Sequence, residues 1–230
     1  MLDNKVVLIT GAKGGLGTFV TQAFLDAGAT VIGVSRSIGD SDFPHPSFVA
    51  MPAELSRGEA ARALVDSVAS KLGRIDVLVH LVGGFAGGQP IAGTDDATLD
   101  RMLDLNVKSA FYIARAVVPH MRKQGAGRIL AIGSRAAAEP AAGAGAYSAS
   151  KAALVSLIRS LAVENKDLRI SANVILPGTM DTPANRAADP EADFSKWVQP
   201  SKVAAMLVHL ASEAASEVSG AAIPMYGRDV

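Results

Sequence analysis

The sequence predicts an α/β fold in which helices cover both faces of a doubly wound, parallel sheet of seven strands. Short, continuous apolar segments alternate along the chain with longer segments of helical period, a pattern typical of parallel strands buried on both faces. The 230 residues are 49% hydrophobic, which is enough apolar material for the core of one domain. Because no internal repeat or low-complexity linker interrupts the pattern, we expect residues 1–230 to form a single domain.

Seven apolar segments are the predicted strands. They are Val6–Thr10, Thr30–Val34, Phe48–Pro52, Val77–Leu81, Gly127–Gly133, Ser171–Leu176 and Ala221–Pro224. Apolar residues from Leu99 to Met121 recur at helical spacing and predict one long helix. The segment from Ala153 to Leu161 repeats this pattern, and we expect the two helices to pack together. The segment from Asp181 to about residue 199, rich in alanine, proline and acidic residues, is predicted to be a substrate loop or short helices.

Composition excludes several classes of partner. Lysine plus arginine and aspartate plus glutamate both number 22, so no overall field attracts nucleic acid or an anionic membrane. The sequence has no cysteine, which removes disulfides, thiolate metal sites and cysteine nucleophiles. No apolar run reaches the ~18 residues that span a bilayer, and the segment Met1–Lys5 lacks the pattern of a signal peptide. We therefore expect a cytoplasmic protein with a small-molecule substrate and no metal.

A glycine-rich turn follows the first predicted strand. It covers Gly11 to Gly17 and leads into a helical segment. Glycines there allow a tight turn and close backbone approach, so that a pyrophosphate can bind free N–H groups at a helix N-terminus. A glycine-rich turn alone also fits an ordinary connection. The strand before it and the helix after it favour a dinucleotide-binding loop.

The pattern Thr10-Gly-x-x-x-Gly15-x-Gly17 resembles that of the short-chain dehydrogenase/reductase family. Four further motifs match in the same order: Leu105-Asn106-Val107, Ser134 after the fifth predicted strand, Tyr147-Ser-Ala-Ser-Lys151, and Pro177-Gly178 with Thr182. The resemblance covers nearly the whole chain. It implies a Rossmann fold, hydride transfer between NADP(H) or NAD(H) and a small carbonyl or alcohol, and a homodimer or homotetramer built on the two long helices.

The resemblance also implies a role for each matching residue. Asn106 anchors a water relay and Ser134 orients the substrate oxygen, while Tyr147 is the acid/base and Lys151 binds the ribose and activates the tyrosine. The implied cofactor-binding residues are Gly11, Lys13, Gly15, Leu16, Gly17, Ser35, Arg36, Glu54, Leu55, Gly83, Tyr147, Lys151, Pro177, Gly178 and Thr182. A free tyrosine has a pKa near ~10, so base catalysis near neutrality requires nearby positive charge worth roughly 4 kcal/mol. Tyr147 and Lys151 are four residues apart and share a helix face, so we expect the ammonium to supply that charge.

The residues after the second strand predict the cofactor. Ser35 stands where NAD-preferring relatives have an acid that binds the ribose 2′-hydroxyl. Arg36 can pair with a 2′-phosphate instead, with Lys13 assisting. Gly14 replaces an arginine found in many NADP enzymes, so we expect a modest preference. The cofactor is therefore predicted to be NADP(H), with NAD(H) as the alternative, and a plain exposed Arg36 remains the competing interpretation.

Two segments depart from the family pattern. His80-Leu81-Val82-Gly83 replaces the usual Asn-Asn-Ala-Gly, and His80 is either a titrating group or a hydrogen-bonded structural residue. In the following loop, Phe85 either covers a flat substrate or belongs to the core.

The loop from Val82 to Gly88 and the segment from Leu176 to Trp197 resemble one branch of the family, dihydropteridine reductase. That branch lacks the serine found here as Ser134 and favours NADH. Two alternatives to carbonyl chemistry therefore stay open. One is the reduction of quinonoid dihydropterin, and the other is a sensor that binds NAD(P) without turnover, against which the complete set of catalytic residues argues.

Overall fold

The computed structural model describes residues 1–228 and confirms the predicted doubly wound sheet. Within these residues the strands are β1 (Val6–Thr10), β2 (Thr30–Val34), β3 (Phe48–Ala50), β4 (Val77–His80), β5 (Gly127–Ile132), β6 (Ile170–Pro177) and β7 (Ala222–Met225). Every neighbouring pair runs parallel. The spatial order is β3-β2-β1-β4-β5-β6-β7, so the direction of winding reverses between β1 and β4. Ligands of such sheets bind at the carboxyl ends of the strands beside this reversal.

Helices form a layer on each face of the sheet. In residues 1–228 they are α1 (Gly17–Asp26), α2 (Gly58–Leu72), α3 (Asp96–Leu103), α4 (Ser109–Gln124), α5 (Gly145–Glu164), α6 (Pro183–Ala188) and α7 (Pro200–Ala211). Side chains alternate between the faces of a strand, so Leu8 joins the core beneath α2, α4 and α5, while Val7 and Ile9 join the core beneath α1 and α7. Among the residues described, no helix is long and apolar enough to span a membrane.

The long helix predicted from Leu99 to Met121 is interrupted. A π turn at Asp104–Lys108 separates α3 from α4, and the Ser109 hydroxyl donates a hydrogen bond to the Leu105 carbonyl of this turn at 2.6 Å. α3 and the π turn pack against α5, whereas α4 packs mainly against α2 and meets the end of α5 where Arg122 donates to Asn165 at 2.7 Å. The expected pairing of the two long helices is therefore confirmed, with the closest packing made by the first part.

Strand ends differ from the prediction by one or two residues. The third strand ends at Ala50 rather than Pro52, since proline has no N–H to donate to a ladder. The fourth ends at His80 and the fifth at Ile132, whereas the sixth extends to Pro177. The last one is shifted to Ala222–Met225. These shifts leave the carboxyl edge of the sheet where the motifs predict it.

Segment 181–199 combines two short helical elements with irregular connections. It contains α6 and a 3-10 turn at Phe194–Lys196. Asp181 accepts hydrogen bonds from Arg186 at 2.5 and 2.8 Å and from Gln199 at 3.0 Å, and these donors lower its pKa to about 2. The Arg186 guanidinium also lies 4.6 Å from the centre of the Phe194 ring. Asp181 thus ties the two ends of the segment together.

Candidate active site

A cleft of about 1240 Å³ opens at the carboxyl ends of β4, β5 and β6. Ser134, Tyr147 and Lys151 line it, together with the glycine-rich loop around Phe85 and residues of segment 181–199. Three of the four predicted catalytic residues therefore line one cleft, and the fourth, Asn106, is buried beneath Gly84, which also lines it. Pro177 and Gly178 lie at the end of β6 in the same cleft.

The glycine loop between β1 and α1 forms an open cradle. Gly11 has a φ of 74°, and a Cβ on Gly17 would overlap the Gly11 carbonyl oxygen, so both positions require glycine. The backbone N–H groups of Gly15, Leu16 and Gly17 have no hydrogen-bond partner in residues 1–228. Free amides at a helix N-terminus are a site for a phosphate anion. This donor set fits the diphosphate of a dinucleotide.

Thr182 closes the cradle from the other side. Its Cβ lies 3.6 Å from where a Cβ on Gly15 would stand. It also begins α6, and its hydroxyl accepts from the Asn185 amide at 3.3 Å. Segment 181–199 therefore contacts the cradle through a residue that the sequence motif predicts.

The end of β2 lies beside the cradle. The Lys13 N–H donates to Ser35 Oγ at 3.1 Å, and the Lys13 ammonium forms an ion pair of 2.8 Å with Asp42. Arg36 is exposed and makes no hydrogen bond or ion pair within the described part of the chain. Further along the same edge, after β3, Glu54 is exposed and the adjacent Leu55 is buried. The predicted adenosine-side residues thus converge, with Asp42 as an unpredicted neighbour.

Asn106 lies fully buried in the π turn and holds two other segments together. Its side chain accepts from the Gly84 N–H at 2.9 Å and donates to the Gly84 carbonyl at 3.0 Å. It also donates to Ser150 Oγ at 2.9 Å, and that hydroxyl donates to the Tyr147 carbonyl at 2.7 Å. Asn106 therefore fixes the glycine-rich loop relative to the first turn of α5.

Ser134 and Tyr147 both line the cleft, and their side chains are hydrogen-bonded to each other. Ser134 follows β5 and begins a 3-10 turn, where its Oγ accepts from the Ala136 N–H at 3.2 Å. Burial raises the pKa of Tyr147, and hydrogen bonding with Ser134 partly opposes the rise. This direction is opposite to the lowering expected from the sequence. The tyrosine is therefore a neutral phenol near neutrality.

Lys151 contributes no lowering to the pKa of Tyr147 in this arrangement. Its ammonium is 5% exposed and donates to the Ile132 carbonyl at 2.9 Å, while it lies 6.0 Å from the centre of the Tyr147 ring. Burial lowers the pKa of Lys151 to about 8. A Cβ on Gly83 would stand 3.2 Å from the ammonium and 2.8 Å from Asn106 Oδ1. Gly83 therefore gives the cleft room beside the lysine.

The sequence model for short-chain dehydrogenases matches residues 5–193, most of the chain. The chain belongs to this family. It is therefore an oxidoreductase with a nicotinamide cofactor and a small-molecule substrate.

Two relatives show how far the similarity extends. The chain is 32% identical to a 7alpha-hydroxysteroid dehydrogenase of Escherichia coli, over 100% of this chain and 95% of the relative. It is 30% identical to a 3-oxoacyl-[acyl-carrier-protein] reductase of Thermotoga maritima, over 98% of both chains. These similarities extend over the whole cleft rather than one motif.

Solved structures agree with this assignment. A 3-ketoacyl-(acyl-carrier-protein) reductase from Brucella melitensis complexed with NADH has a TM-score of 0.88 at 27% identity, with 100% of both chains covered. An aldohexose dehydrogenase of Thermoplasma acidophilum, in ligand-free form, has a TM-score of 0.89 at 26% identity, covering 99% of this chain and 94% of that one. Neither comparison confirms the resemblance of the segments from Val82 to Gly88 and from Leu176 to Trp197 to dihydropteridine reductase.

His80, the departure from the family pattern, is a buried link between two elements of this dehydrogenase. Its Nδ1 lies 2.9 Å from Thr10 Oγ1 and its Nε2 lies 3.2 Å from Ser109 Oγ. Because Ser109 donates its proton to the Leu105 carbonyl, it accepts from Nε2–H, and Nδ1 accepts from Thr10. Burial, with the nearby charge of Lys151, lowers the pKa of His80 to about 3. His80 is therefore a neutral structural residue.

Thr10 and Ser109 are partners that the sequence analysis missed. Thr10 is the last residue of β1 and Ser109 is the first residue of α4, and both are buried. A hydroxyl at such a position requires a hydrogen-bond partner. Their positions beside a histidine at a strand end were the available signal.

Phe85 belongs to the cleft and not to the core. Its side chain is 67% exposed, and its ring stands edge-on to that of Tyr147 with 5.0 Å between ring centres. The core interpretation of Phe85 is wrong, because the glycine-rich loop carries the ring outward over the cleft.

Among the described residues, no group of three or more histidine, aspartate or glutamate side chains is placed to hold a metal ion.

Proposed function

We propose that this short-chain dehydrogenase transfers a hydride between NADP(H) and a small carbonyl or alcohol, with Tyr147 as the acid/base. The observation that carries the proposal is the convergence of Ser134, Tyr147 and Lys151 on one wall of the cleft. The bound nicotinamide cofactor supplies or accepts the hydride.

The state of Tyr147 supports the reductive direction. A phenol whose pKa is raised by burial keeps its proton near neutrality and can donate it to a carbonyl oxygen that gains negative charge. Ser134 holds the same oxygen as a second donor. In the oxidative direction Tyr147 must first lose its proton, which requires the charge of Lys151 and of the oxidised nicotinamide.

Lys151 and Asn106 complete the proposed site. Two of the three ammonium protons remain after the bond to Ile132, and they can bind the ribose hydroxyls and a water molecule. Asn106 positions Gly84 and, through Ser150, the Tyr147 backbone. We assign to Lys151 and the π turn the relay that returns a proton from solvent to Tyr147.

The adenosine side supports a preference for NADP(H). An exposed Arg36 next to Ser35, without an acid at the end of β2, suits a 2′-phosphate better than a 2′-hydroxyl. Segment 181–199 is assigned to the substrate and closes the cleft opposite Tyr147. Phe85 lies above the proposed position of the reacting carbon.

Association into a homodimer or homotetramer through α4 and α5 is part of the proposal. Phe111 on α4 and Val163 on α5 are 45% and 69% exposed, and large apolar side chains on outer helix faces are typical of interfaces. The absence of cysteine is compatible with the reducing cytoplasm, which we propose as the compartment.

Reduction of quinonoid dihydropterin remains a hypothesis with less support. The relatives described above are named for hydroxysteroid, oxoacyl and aldohexose substrates, which favours alcohol and carbonyl chemistry. Ser134 is present, although the pterin-reducing branch lacks it. A sensor without turnover has no observation in its favour.

The deciding experiment is the Ser134→Ala variant, assayed on ketones, aldehydes and quinonoid dihydropterin with NADPH and NADH. A hydroxyl that binds a developing oxyanion contributes on the order of 3 kcal/mol when removed, so we expect carbonyl kcat/KM to fall at least about tenfold while cofactor affinity changes little. Wild type should give a higher kcat/KM with NADPH than with NADH.

Ser148→Ala is the matched control, because Ser148 is a buried serine of α5 that does not line the cleft. It should keep nearly full carbonyl activity. Pterin reduction alone, unchanged by Ser134→Ala, would replace the proposal with the pterin hypothesis. Cofactor binding without turnover on the whole panel would favour the sensor, and a kcat/KM that clearly favours NADH would refute the cofactor assignment.

A further inference from the structure

Beside the glycine cradle, near the end of β2, a carboxylate pairs with one of two neighbouring cations. Asp42 Oδ1 lies 2.8 Å from the Lys13 ammonium, which also donates to the Ser37 carbonyl at 3.1 Å. Asp42 Oδ2 accepts from the Gly39 N–H at 2.9 Å. Both oxygens of Asp42 are therefore engaged, and its position is fixed by the turn as well as by the lysine.

Lys13 lies where a ribose 2′-phosphate would meet the chain. Its backbone N–H donates to Ser35 directly after β2, and the end of this strand is where dinucleotide-binding folds distinguish a 2′-hydroxyl from a 2′-phosphate. Arg36 stands beside it without a partner in residues 1–228. Of these two cations, Lys13 is paired with the Asp42 carboxylate, whereas Arg36 has no acidic partner in residues 1–228.

We propose that Asp42 sets the strength of the cofactor preference by weakening the attraction of Lys13 for the 2′-phosphate. This inference rests on the proposed binding of NADP(H). The phosphate is an anion, so the Asp42 carboxylate repels it, and it must compete with that carboxylate for the Lys13 protons. The 2′-hydroxyl of NADH is neutral and is largely indifferent to this charge. Asp42 therefore narrows the gap between the two cofactors by weakening NADPH binding alone.

The pKa of Asp42 reflects its contact with Lys13. The hydrogen bond with Lys13, followed by that from Gly39, lowers the pKa of Asp42. The carboxylate is therefore ionised at neutral pH, where the cofactor binds.

The test is the Asp42→Asn variant, because an asparagine oxygen can still accept from Gly39 while the negative charge is lost. Dissociation constants for NADPH and NADH are measured by nicotinamide fluorescence, without substrate. We expect the NADPH constant to fall about three- to tenfold, as removal of one unit charge near a partly exposed site predicts. The NADH constant should stay within about twofold. Asp42→Ser, whose hydroxyl can also accept from Gly39, should reproduce the result with a different side chain.

Asp40→Asn is the matched control. Asp40 belongs to the same 3-10 turn and carries the same charge, and its Oδ1 accepts from the Ala50 N–H at 2.8 Å, which asparagine can also do. It forms no ion pair with Lys13 in the described residues. Asp40→Asn should therefore change neither constant by more than about twofold. In a Lys13→Gln background only the direct repulsion by Asp42 remains, so Asp42→Asn should lower the NADPH constant clearly less than it does when Lys13 is present.

An unchanged NADPH constant in both Asp42 variants would overturn the inference, and so would an equal gain in Asp40→Asn or an undiminished gain in the Lys13→Gln background. A weaker binding of NADH in Asp42→Asn would overturn it as well, since Asp42 would then serve the ribose hydroxyl. Binding is measured without turnover and as a ratio to wild type. These results are therefore separate from failure of the proposed carbonyl reduction or of the NADPH preference.

Discussion

The proposed cofactor site has a buried end in the cleft and an exposed end beside β2, and the two ends differ in how far their charged groups are removed from water. At the buried end, His80, Asn106 and Lys151 are removed from water, and burial is the largest cause of the pKa changes of His80 and Lys151. At the exposed end, the Lys13 side chain is 42% accessible and its pairing with Asp42 takes place in solvent. Charges exposed to water interact weakly, whereas buried polar groups are costly to leave unpaired. Substitutions at the buried end should therefore have large effects, and those at the exposed end should be graded.

Tyr147→Phe is the largest expected effect and tests the buried end directly. Removing the phenol oxygen should lower kcat about 10³-fold, which is within the range for a general acid. The ring contact with Phe85 is retained, so the dissociation constant of NADPH should change little. Steady-state kinetics and fluorescence titration measure the two quantities.

Tyr112→Phe, on α4 beside Arg115, is the control and should keep wild-type kinetics. A kcat near wild type in Tyr147→Phe would show that Tyr147 is not the acid/base. It would also contradict the expectation that substitutions at the buried end have large effects on activity.

Lys151→Met separates function from stability at the same end. Folding lowers the pKa of Lys151 from 10.5 to about 8, so the unfolded chain binds this proton more tightly, and wild-type stability rises as pH increases through this window. At neutral pH the buried charge costs about 3 kcal/mol, partly offset by the bond to Ile132. The variant should lose most activity yet gain about 1–2 kcal/mol in the free energy of unfolding.

Urea denaturation at neutral pH and again near pH 10.5, the pKa of lysine in the unfolded chain, provides the measurement. The gain should shrink as pH rises above about 8 and should have largely disappeared near 10.5, where the lysine is losing its proton in the unfolded chain as well. A variant that is less stable than wild type at both values would show that the Ile132 bond outweighs desolvation.

His80→Asn has a smaller expected effect, confined to acidic pH. The pKa of His80 falls from 6.5 to about 3 on folding. Between these values the unfolded chain binds a proton that the folded chain does not bind, so wild-type stability decreases as pH falls below about 6.5. At about pH 5 this loss is about 2 kcal/mol. The variant should lack this part of the decline, as measured by denaturation over a pH series.

The exposed His209 on α7 supplies the comparison, since His209→Asn should decline in parallel with wild type. Parallel curves for His80→Asn and wild type would mean that His80 can be protonated in the folded protein. The severalfold change expected for Asp42→Asn is the smallest of these effects, and it belongs to the exposed end.

Local patterns predicted most of the fold and the members of the site. Strand ends were missed by a residue or two, since pairing with a neighbour decides where a ladder stops, as at Ala50. The π turn was missed because apolar spacing is the same on both sides of it. Asn106, Ser134, Tyr147 and Lys151 were predicted from motifs; the structure places the last three in the lining of one cleft and buries Asn106 beneath it. Asp42 was missed because its partner, Lys13, is distant in sequence.

The sequence by itself determined the alternation of strands and helices, the glycine cradle and the residue types available for chemistry, because these depend on local spacing and backbone freedom. Only the tertiary structure decided their charge states and partners. Tyr147 and Lys151 share a helix face by spacing alone, yet the direction in which each pKa moves depends on how much water the surrounding elements exclude. His80 is neutral for the same reason, since β1 and the π turn enclose it. Desolvation depends on the whole fold around a group, so no local pattern encodes it.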